Sequence, residues 1–370
     1  MQLNFLSEEN RLERLSKMGD PLEKVSKYID FEEFRFKIEE AIKNKDKDPK
    51  LGGRPPMDVI LMWKMSLLQQ WYGISNDNVE YLTNDRLSFQ RFLGLGLNDK
   101  VPDANTLWDF KEALAQKNLD KELFEMFEKK MEEIGVITRA GSIVDASFVD
   151  VPRQRISKEE RKTLKEEKEI PDRWLLEGNG NELSQRDSEA TWAKKGEEVH
   201  FGYKNHVKAD TDSKMIVNFE VTTASTHDSK KIVDLCDEKD NVVNADSAYV
   251  GEKLEKELKR KCGQNIILNI NEKGKRNKPL TDEQKESNKQ KSRVRARVEH
   301  VFGFMTMSMG GMFMRTIGIT RAKAEIARRN LAYNLKRFVY LASTNSHGHI
   351  IPGVLRPNVL KRANGTQKKV

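Results

Sequence analysis

The spacing of apolar residues along this chain changes at about residue 139. Before it they recur every three or four positions, and after it they alternate or form short runs. Residues 1–45 predict short helices: Asp20 and Pro21 supply an N-cap and a first-turn residue, and Asp30 opens DFEEFRFKIEEAI. The stretch KNKDKDPKLGGRPP is polar and rich in Lys, Pro and Gly, so residues 46–56 predict a linker. From Met57, MDVILMWKMSLLQQW is apolar enough for a core helix. SNDNVEYLTND, RLSFQRFLGL and DANTLWDFKEALAQK follow after short breaks. Residues 57–135 therefore predict a helix-turn-helix-like bundle, which either contacts DNA or only docks on the domain that follows.

Beyond the change of period, RAGSIVDASFVDV predicts a first strand. EVHFGYKNHVKADT and KMIVNFEVTTAS predict a hairpin joined near Asp212 and Ser213. THDSKKIVDLCDEK predicts a helix, NVVNADS a buried strand, GEKLEKELKRK a helix and NIILNI a short strand, with mostly helix from about Asn288 to Ser343. The order β, β, β, α, β, α, β, α matches an RNase H-like domain over residues 136–343, an α/β fold with a mixed sheet and flanking helices. It is preceded by the all-α region. Residues 152–196 form an insertion, charged at RISKEERKTLKEEKEI and turn-rich at EGNGNE, expected to be partly mobile. In the last helix Ala327, Leu331, Leu335 and Phe338 form a core stripe, which leaves Arg328, Arg329, Lys336 and Arg337 for solvent or DNA. Residues 344–370 predict a frayed tail.

Composition narrows the class. With 370 residues two domains are expected, and 37% hydrophobic residues still suffice for a core under a surface fed by 34% charged residues. No apolar run approaches the roughly 18 residues of a membrane span, and the N-terminus does not read as a signal peptide, so a soluble intracellular protein is expected. Cys236 and Cys262 fall far apart without a ligand partner nearby, which argues against a disulfide framework or a zinc site. The net charge of +8 says little alone, but between Lys291 and Tyr340 eleven Lys or Arg face only two acids, Glu299 and Glu325. Such clustering suits a phosphate backbone.

Three acids stand in distinctive settings. Asp145 follows the apolar SIV and is expected at the end of a strand, Asp246 ends the run NVVNADSAY, and Glu299 lies in RVRARVEHVF on a helix. Asp150 competes with Asp145 for the first role but is expected to enter the polar insertion. Carboxylates of this kind suit a pair of Mg2+ ions, with Mn2+ as substitute, for phosphodiester cleavage and joining. Arg295 lies four residues before Glu299, hence on the same helical face. Trp192, Lys194 and Lys195, with Tyr203, Lys204 and His206, combine aromatics and bases in the manner of unpaired-strand binding. His206 reads as an ordinary strand histidine. His300 points about 100° from Glu299 and suits structure or DNA contact. No phosphate-cradling Gly-rich loop is present, so no nucleotide cofactor is expected.

GRPP before an apolar helix, IVDASFV, SEATWAKKG, HFGYKNHVKAD, NADSAYVG and RARVEHVFG together resemble the DDE transposases of bacterial insertion sequences, the insertion-sequence family 5 type in particular, from about residue 18 to 343. The resemblance implies Asp145, Asp246 and Glu299 as catalytic, metal-holding residues. It implies DNA contacts by Arg295, Arg297, His300, Trp192, Lys194, Lys195, Tyr203 and Lys204. Trp192 is then either an aromatic that captures a flipped base or an anchor of the insertion. In the signature Y-x2-R-x3-E-x6-K the arginine is Arg295 and the glutamate Glu299. Ser292 and Thr306 replace the tyrosine and the lysine, which bears on the activity of this copy, and Arg315 is a nearby base that could substitute. The family acts on terminal inverted repeats and target DNA, as a homodimer on DNA, in the bacterial cytoplasm at the nucleoid. A nuclease without strand transfer and a non-catalytic DNA-binding derivative are the alternatives.

Overall fold

The computed structural model describes residues 5–42, 56–167, 169–175, 185–274 and 279–345. Nearly all of the predicted linker and of the predicted tail, and the EGNGNE segment, lie outside them. The chain divides into two compact units. One comprises residues 1–137, 308–310 and 327–370, the other 138–307 and 311–326. No helix among the described residues is long and apolar enough to cross a membrane.

The first unit is helical: α1 (Phe5–Lys17), α2 (Pro21–Tyr28), α3 (Arg35–Ile42), α4 (Val59–Tyr72), α5 (Asn76–Asp85), α6 (Leu87–Leu93), α7 (Ala104–Gln116) and α8 (Leu119–Glu133). Asp20, Asp58, Ser75 and Asp103 cap α2, α4, α5 and α7 by accepting from first-turn amides, which supplies the partners those amides lack within the helix. Helix α4 is the axis of this unit, burying Ile60, Met62, Trp63, Met65, Leu67, Leu68 and Trp71 around its circumference. It ends at Gly73, whose positive φ of 61° and approach to Gly310, where a Cβ would stand 2.6 Å from Cα, exclude any other residue.

The C-terminal helix, numbered α15 below (Ile319–Asn345), supplies the same unit from Ala327 onward. Its predicted stripe of Ala327, Leu331, Leu335 and Phe338 is buried. The expectation that the neighbouring bases face solvent or DNA is corrected. Arg328 is buried and forks onto the Asp120 carboxylate at 2.9 and 2.8 Å, and Arg329 donates to Gln70 Oε1 at 3.0 Å. Lys336 lies over the Trp71 ring, 4.8 Å from its centre, and burial pushes it down to about 8. Burial also lowers Arg337, which stacks on Tyr340. Most of the helix from Ala327 to Val339 is buried, and Arg328, Arg329 and Lys336 find partners far away in sequence.

The second unit carries a six-stranded mixed sheet of RNase H-like type. Its strands are β1 (Ser142–Asp150), β2 (Thr191–Lys195), β3 (Glu198–Asp210), β4 (Ile216–Thr223), β5 (Val242–Ala245) and β6 (Ile267–Ile270), in the order β2-β3-β1-β5-β6, with β4 also on β3. Its helices are α9 (Lys158–Lys162), α10 (Asp172–Leu175), α11 (Ile232–Leu235), α12 (Glu252–Cys262), α13 (Asp282–Arg295), α14 (Glu299–Ser308) and the start of α15. Strand β3 pairs antiparallel with all of β1, whereas β5 and β6 run parallel to it.

Three expectations change here. The stretch TWAKK is a strand, β2, not open insertion, and pairs with Glu198–Gly202 of β3. The predicted helix after Thr226 shrinks to a 3-10 turn at Asp228–Lys230 and the one-turn α11. Cys236 and Cys262, distant in sequence, come together: Cys236 is buried with Val144, Val243, Ala245 and Leu258, and Cys262 packs against that cluster, both as free thiols.

Removing one partner of a buried ion pair leaves the other charge without compensation. Asp120→Ala is expected to lower the unfolding free energy by about 3–5 kcal/mol, read from urea denaturation followed by tryptophan fluorescence.

Candidate active site

The site forms where β1 leaves β5. The two strands pair in parallel only at Ser142–Val243 and Ile143–Asn244. Side chains alternate along a strand, so two residues further on Asp145 and Asp246 stand on the same face of neighbouring strands. Asp145 is therefore not at the end of its strand, as expected, but in the middle. β1 runs on to Asp150 because β3 continues beside it, pairing Val207 with Asp145 and Gly202 with Asp150. The carboxylate stands at a fork between a pairing that ends and one that continues. Crevices beyond the carboxyl ends of parallel strands are the usual ligand sites of open α/β sheets.

Asp145 accepts from the Ala146 amide at 2.8 Å, and Asp246 accepts from the Ser247 amide at 2.6 Å while capping the 3-10 turn Ser247–Tyr249. Both carboxylates converge on Arg295, whose Nη1 lies 3.6 Å from Asp145 and 3.8 Å from Asp246. The Arg295 side chain is 25% exposed, that of Asp145 24% and that of Asp246 42%. Burial dominates at Asp145 and raises its pKa above the ordinary carboxylate value. The Ala146 amide, Arg295 and Lys195 oppose the rise, and the neighbouring Asp246 charge adds to it. Arg295 Nε is buried without a protein acceptor, and so is the Tyr249 hydroxyl, whose pKa is raised by burial and then by Asp228, Asp145 and Asp246.

Glu299 is exposed at the first position of α14, and among the described residues no group of three or more acids, histidines or cysteines is gathered around a common point. The break between α13 and α14 accounts for this. A 3-10 turn, Ala296–Val298, separates Arg295 from Glu299. Three residues wound at three per turn, not 3.6, advance the chain by about 60° more than an α-helix would. The same-face relation expected for the two residues is thereby lost. Two carboxylates converging on one cation nevertheless make a donor set of hard oxygens that suits Mg2+ or Mn2+.

The expected cluster of aromatics and lysines is divided by the sheet. Trp192, Lys194 and Lys195 are exposed on β2. Trp192 packs on Phe201 with ring centres 4.8 Å apart, under Arg153 at 5.7 Å, and Lys194 lies 3.8 Å from Glu197. Tyr203 and Lys204, expected to contact DNA, are buried in β3, which corrects that reading. The Tyr203 hydroxyl donates to Asp187 at 2.7 and 2.9 Å, and burial raises its pKa further. Lys204 donates to Thr226 O and Asp228, each at 2.8 Å. His206 bears out its reading as a strand histidine: it is fully buried, lies 2.8 Å from Thr222 Oγ1, and is pushed down to about 4 chiefly by burial.

Arg297 donates to Thr211 O at 3.0 Å, and His300 stacks on Phe304 with ring centres 6.5 Å apart. Asp150 remains on β1 and does not enter the insertion. His200 Nδ1 lies 3.2 Å from both its oxygens, with the imidazole stacked 4.0 Å over Phe148. Sequence reasoning missed Tyr249, whose place beside the acids is set by the tight turn after Asp246.

The family model described as Transposase DDE domain matches residues 138–335, and the one described as Transposase domain (DUF772) matches residues 10–113. Among solved structures, a cryo-EM structure of the piggyBac transposase synaptic complex with hairpin DNA is similar over 93% of this chain and 79% of that one, at 12% identity and a TM-score of 0.43.

A raised pKa in the folded state means that the native protein binds the Asp145 proton more tightly than the unfolded chain does. Ionising Asp145 therefore costs stability as pH rises through the ordinary carboxylate value, and the full cost is present at neutral pH. Asp145→Asn is expected to raise the urea midpoint at pH 7. That advantage should vanish below about pH 4, where aspartate is neutral in both states.

Proposed function

This chain belongs to the Transposase DDE domain family, and from that premise we propose that it cuts at the ends of an insertion sequence of the family 5 type and transfers the freed 3′-hydroxyl to target DNA. The observation that carries the reading is the convergence of Asp145 and Asp246 on the Arg295 cation at the fork of the sheet, inside the matched region.

Asp145 and Asp246, with Glu299 as the third acid, would hold divalent cations, two per site. Such ions screen the charge that builds on a phosphodiester under attack and lower the pKa of the attacking group. The chain's own residues supply the rest. Asp145 and Asp246 keep a cation-gathering negative field at the point where β1 and β5 part. The unpartnered Arg295 Nε is a donor suited to a phosphate oxygen. Trp192, Lys194 and Lys195, exposed on β2, offer an aromatic face and two ammonium groups to a strand end, while Arg297 and His300 add contacts next to Glu299. Terminal inverted repeats would be held by a homodimer, with the helical region before residue 136 contributing to DNA binding, in the cytoplasm at the nucleoid.

The test is a strand-transfer assay with a pre-cut terminal-repeat duplex and supercoiled plasmid, in Mg2+, in Mn2+ and in chelator. Metal-dependent joining is expected, and Asp246→Asn should lower it by roughly 10²–10³-fold or more. Nicking without joining would make the chain a nuclease, and DNA binding without either would make it a non-catalytic derivative.

A further inference from the structure

Helix α13 carries Arg295 to the carboxylate pair, yet it has no buried residue. Apolar burial, which docks most helices on a sheet, does not hold this one. A row of side-chain hydrogen bonds to the three residues around the end of β6 does so instead. Lys291 Nζ donates to Ile270 O at 3.1 Å, and Asn271 Nδ2 donates to Ser292 Oγ at 3.0 Å. Asn288 engages both backbone groups of Glu272. Its Oδ1 accepts from the Glu272 amide at 2.9 Å and its Nδ2 donates to the Glu272 carbonyl at 3.0 Å, as an adjacent strand would. Gln284 Nε2 reaches the Glu272 carboxylate at 2.5 Å.

Residues 284, 288, 291, 292 and 295 recur at three- and four-residue spacing, so the row and Arg295 share one face of the helix. The row lies next to the site because Ala245 pairs with Ile270, and the Asn271 amide reaches the Ala245 carbonyl at 3.4 Å. Asp246 and Asn271 thus emerge side by side from neighbouring strands.

We propose that Asn288, seconded by Lys291 and Ser292, is a positioning residue that holds α13 in register with the end of β6 and so sets Arg295 between Asp145 and Asp246. The role for the reaction rests on the transposase reading above, whereas the docking itself does not. Ser292, which stands where the family signature has tyrosine, takes its place in the row through Asn271. Because every bond in the row competes with water, the docked position is the least secured part of the site, and its loss leaves the sheet intact.

The experiment uses the full chain, with Asn288→Ala, Asn288→Asp and Lys289→Ala, the last on the exposed face. Amide hydrogen exchange and single-turnover cleavage of terminal-repeat DNA are measured together with DNA affinity. For Asn288→Ala, exchange over Asp282–Arg295 should quicken by ~10-fold or more while β1 and β5 keep their protection. Cleavage should slow by roughly 10–100-fold at unchanged DNA affinity. Asn288→Asp, which keeps the acceptor for the Glu272 amide, should recover part of both, and Lys289→Ala should leave the exchange unchanged. Unaltered exchange in Asn288→Ala would overturn the proposal, as would faster exchange with unaltered cleavage, or a loss of cleavage matched by a loss of DNA affinity. A wild type without metal-dependent nicking would instead overturn the transposase reading and the reaction role with it, and hydrogen exchange would still decide the docking.

Discussion

A carboxylate in the middle of a central strand sets most of the architecture around it. Asp145 cannot leave its place, because β3 pairs with β1 on both sides of it, and its side chain is only 24% exposed. Its charge is disfavoured by burial, and a second carboxylate stands one strand away. A cation has to face the pair, and in this structure it is Arg295. That requirement brings α13 over the carboxyl ends of the parallel strands and calls for something to hold a helix with no buried face. The sheet tolerates the cost because its opposite face is closed by Val144, Val243, Ala245 and Leu258.

Rigid support on one side and polar, water-accessible support on the other is a sensible division for a site that handles a large charged substrate. Strand residues need sub-ångström constancy, which paired backbone provides. A helix held by side-chain hydrogen bonds can shift at lower cost than one held by a packed interface. The 3-10 turn at Ala296–Val298 adds to this. A 3-10 stretch inside a longer helix often marks a hinge, and here it lies between the arginine on the carboxylates and the exposed Glu299.

The change of period at about residue 139 lies within two residues of the boundary between the two units, after Ile137. Five of the six strands were legible as apolar runs or alternations bounded by turn residues, and so was the place of Asp246 at the end of β5. β2 was hidden because TWAKK, polar on its outer face, has the composition of a loop and becomes a strand only by pairing with β3. The mid-strand position of Asp145 was hidden because SFVD continues the strand only if a long partner lies beside it. Arg295 and Glu299 were read as sharing a face because periodicity assumes a regular helix, and a 3-10 turn leaves no trace in it. The burial of Arg328, Arg329, Tyr203 and Lys204 depends on Asp120, Gln70, Asp187 and Asp228, partners set by tertiary structure alone.

The helix from Ala327 onward bears on how the chain is made. Trp71 donates to Ala332 O, Asp120 waits for Arg328, and Phe127 packs edge-on against Phe338. The helical unit thus draws one core element from a segment that follows nearly all of the second unit in sequence. On a ribosome moving at ~5–20 residues per second, the intervening catalytic residues take on the order of 10–40 s to emerge. Throughout that interval the N-terminal helices lack part of their interior. A message cut short before Ala327 leaves Trp71, Asp120 and Phe127 without the partners that close this core.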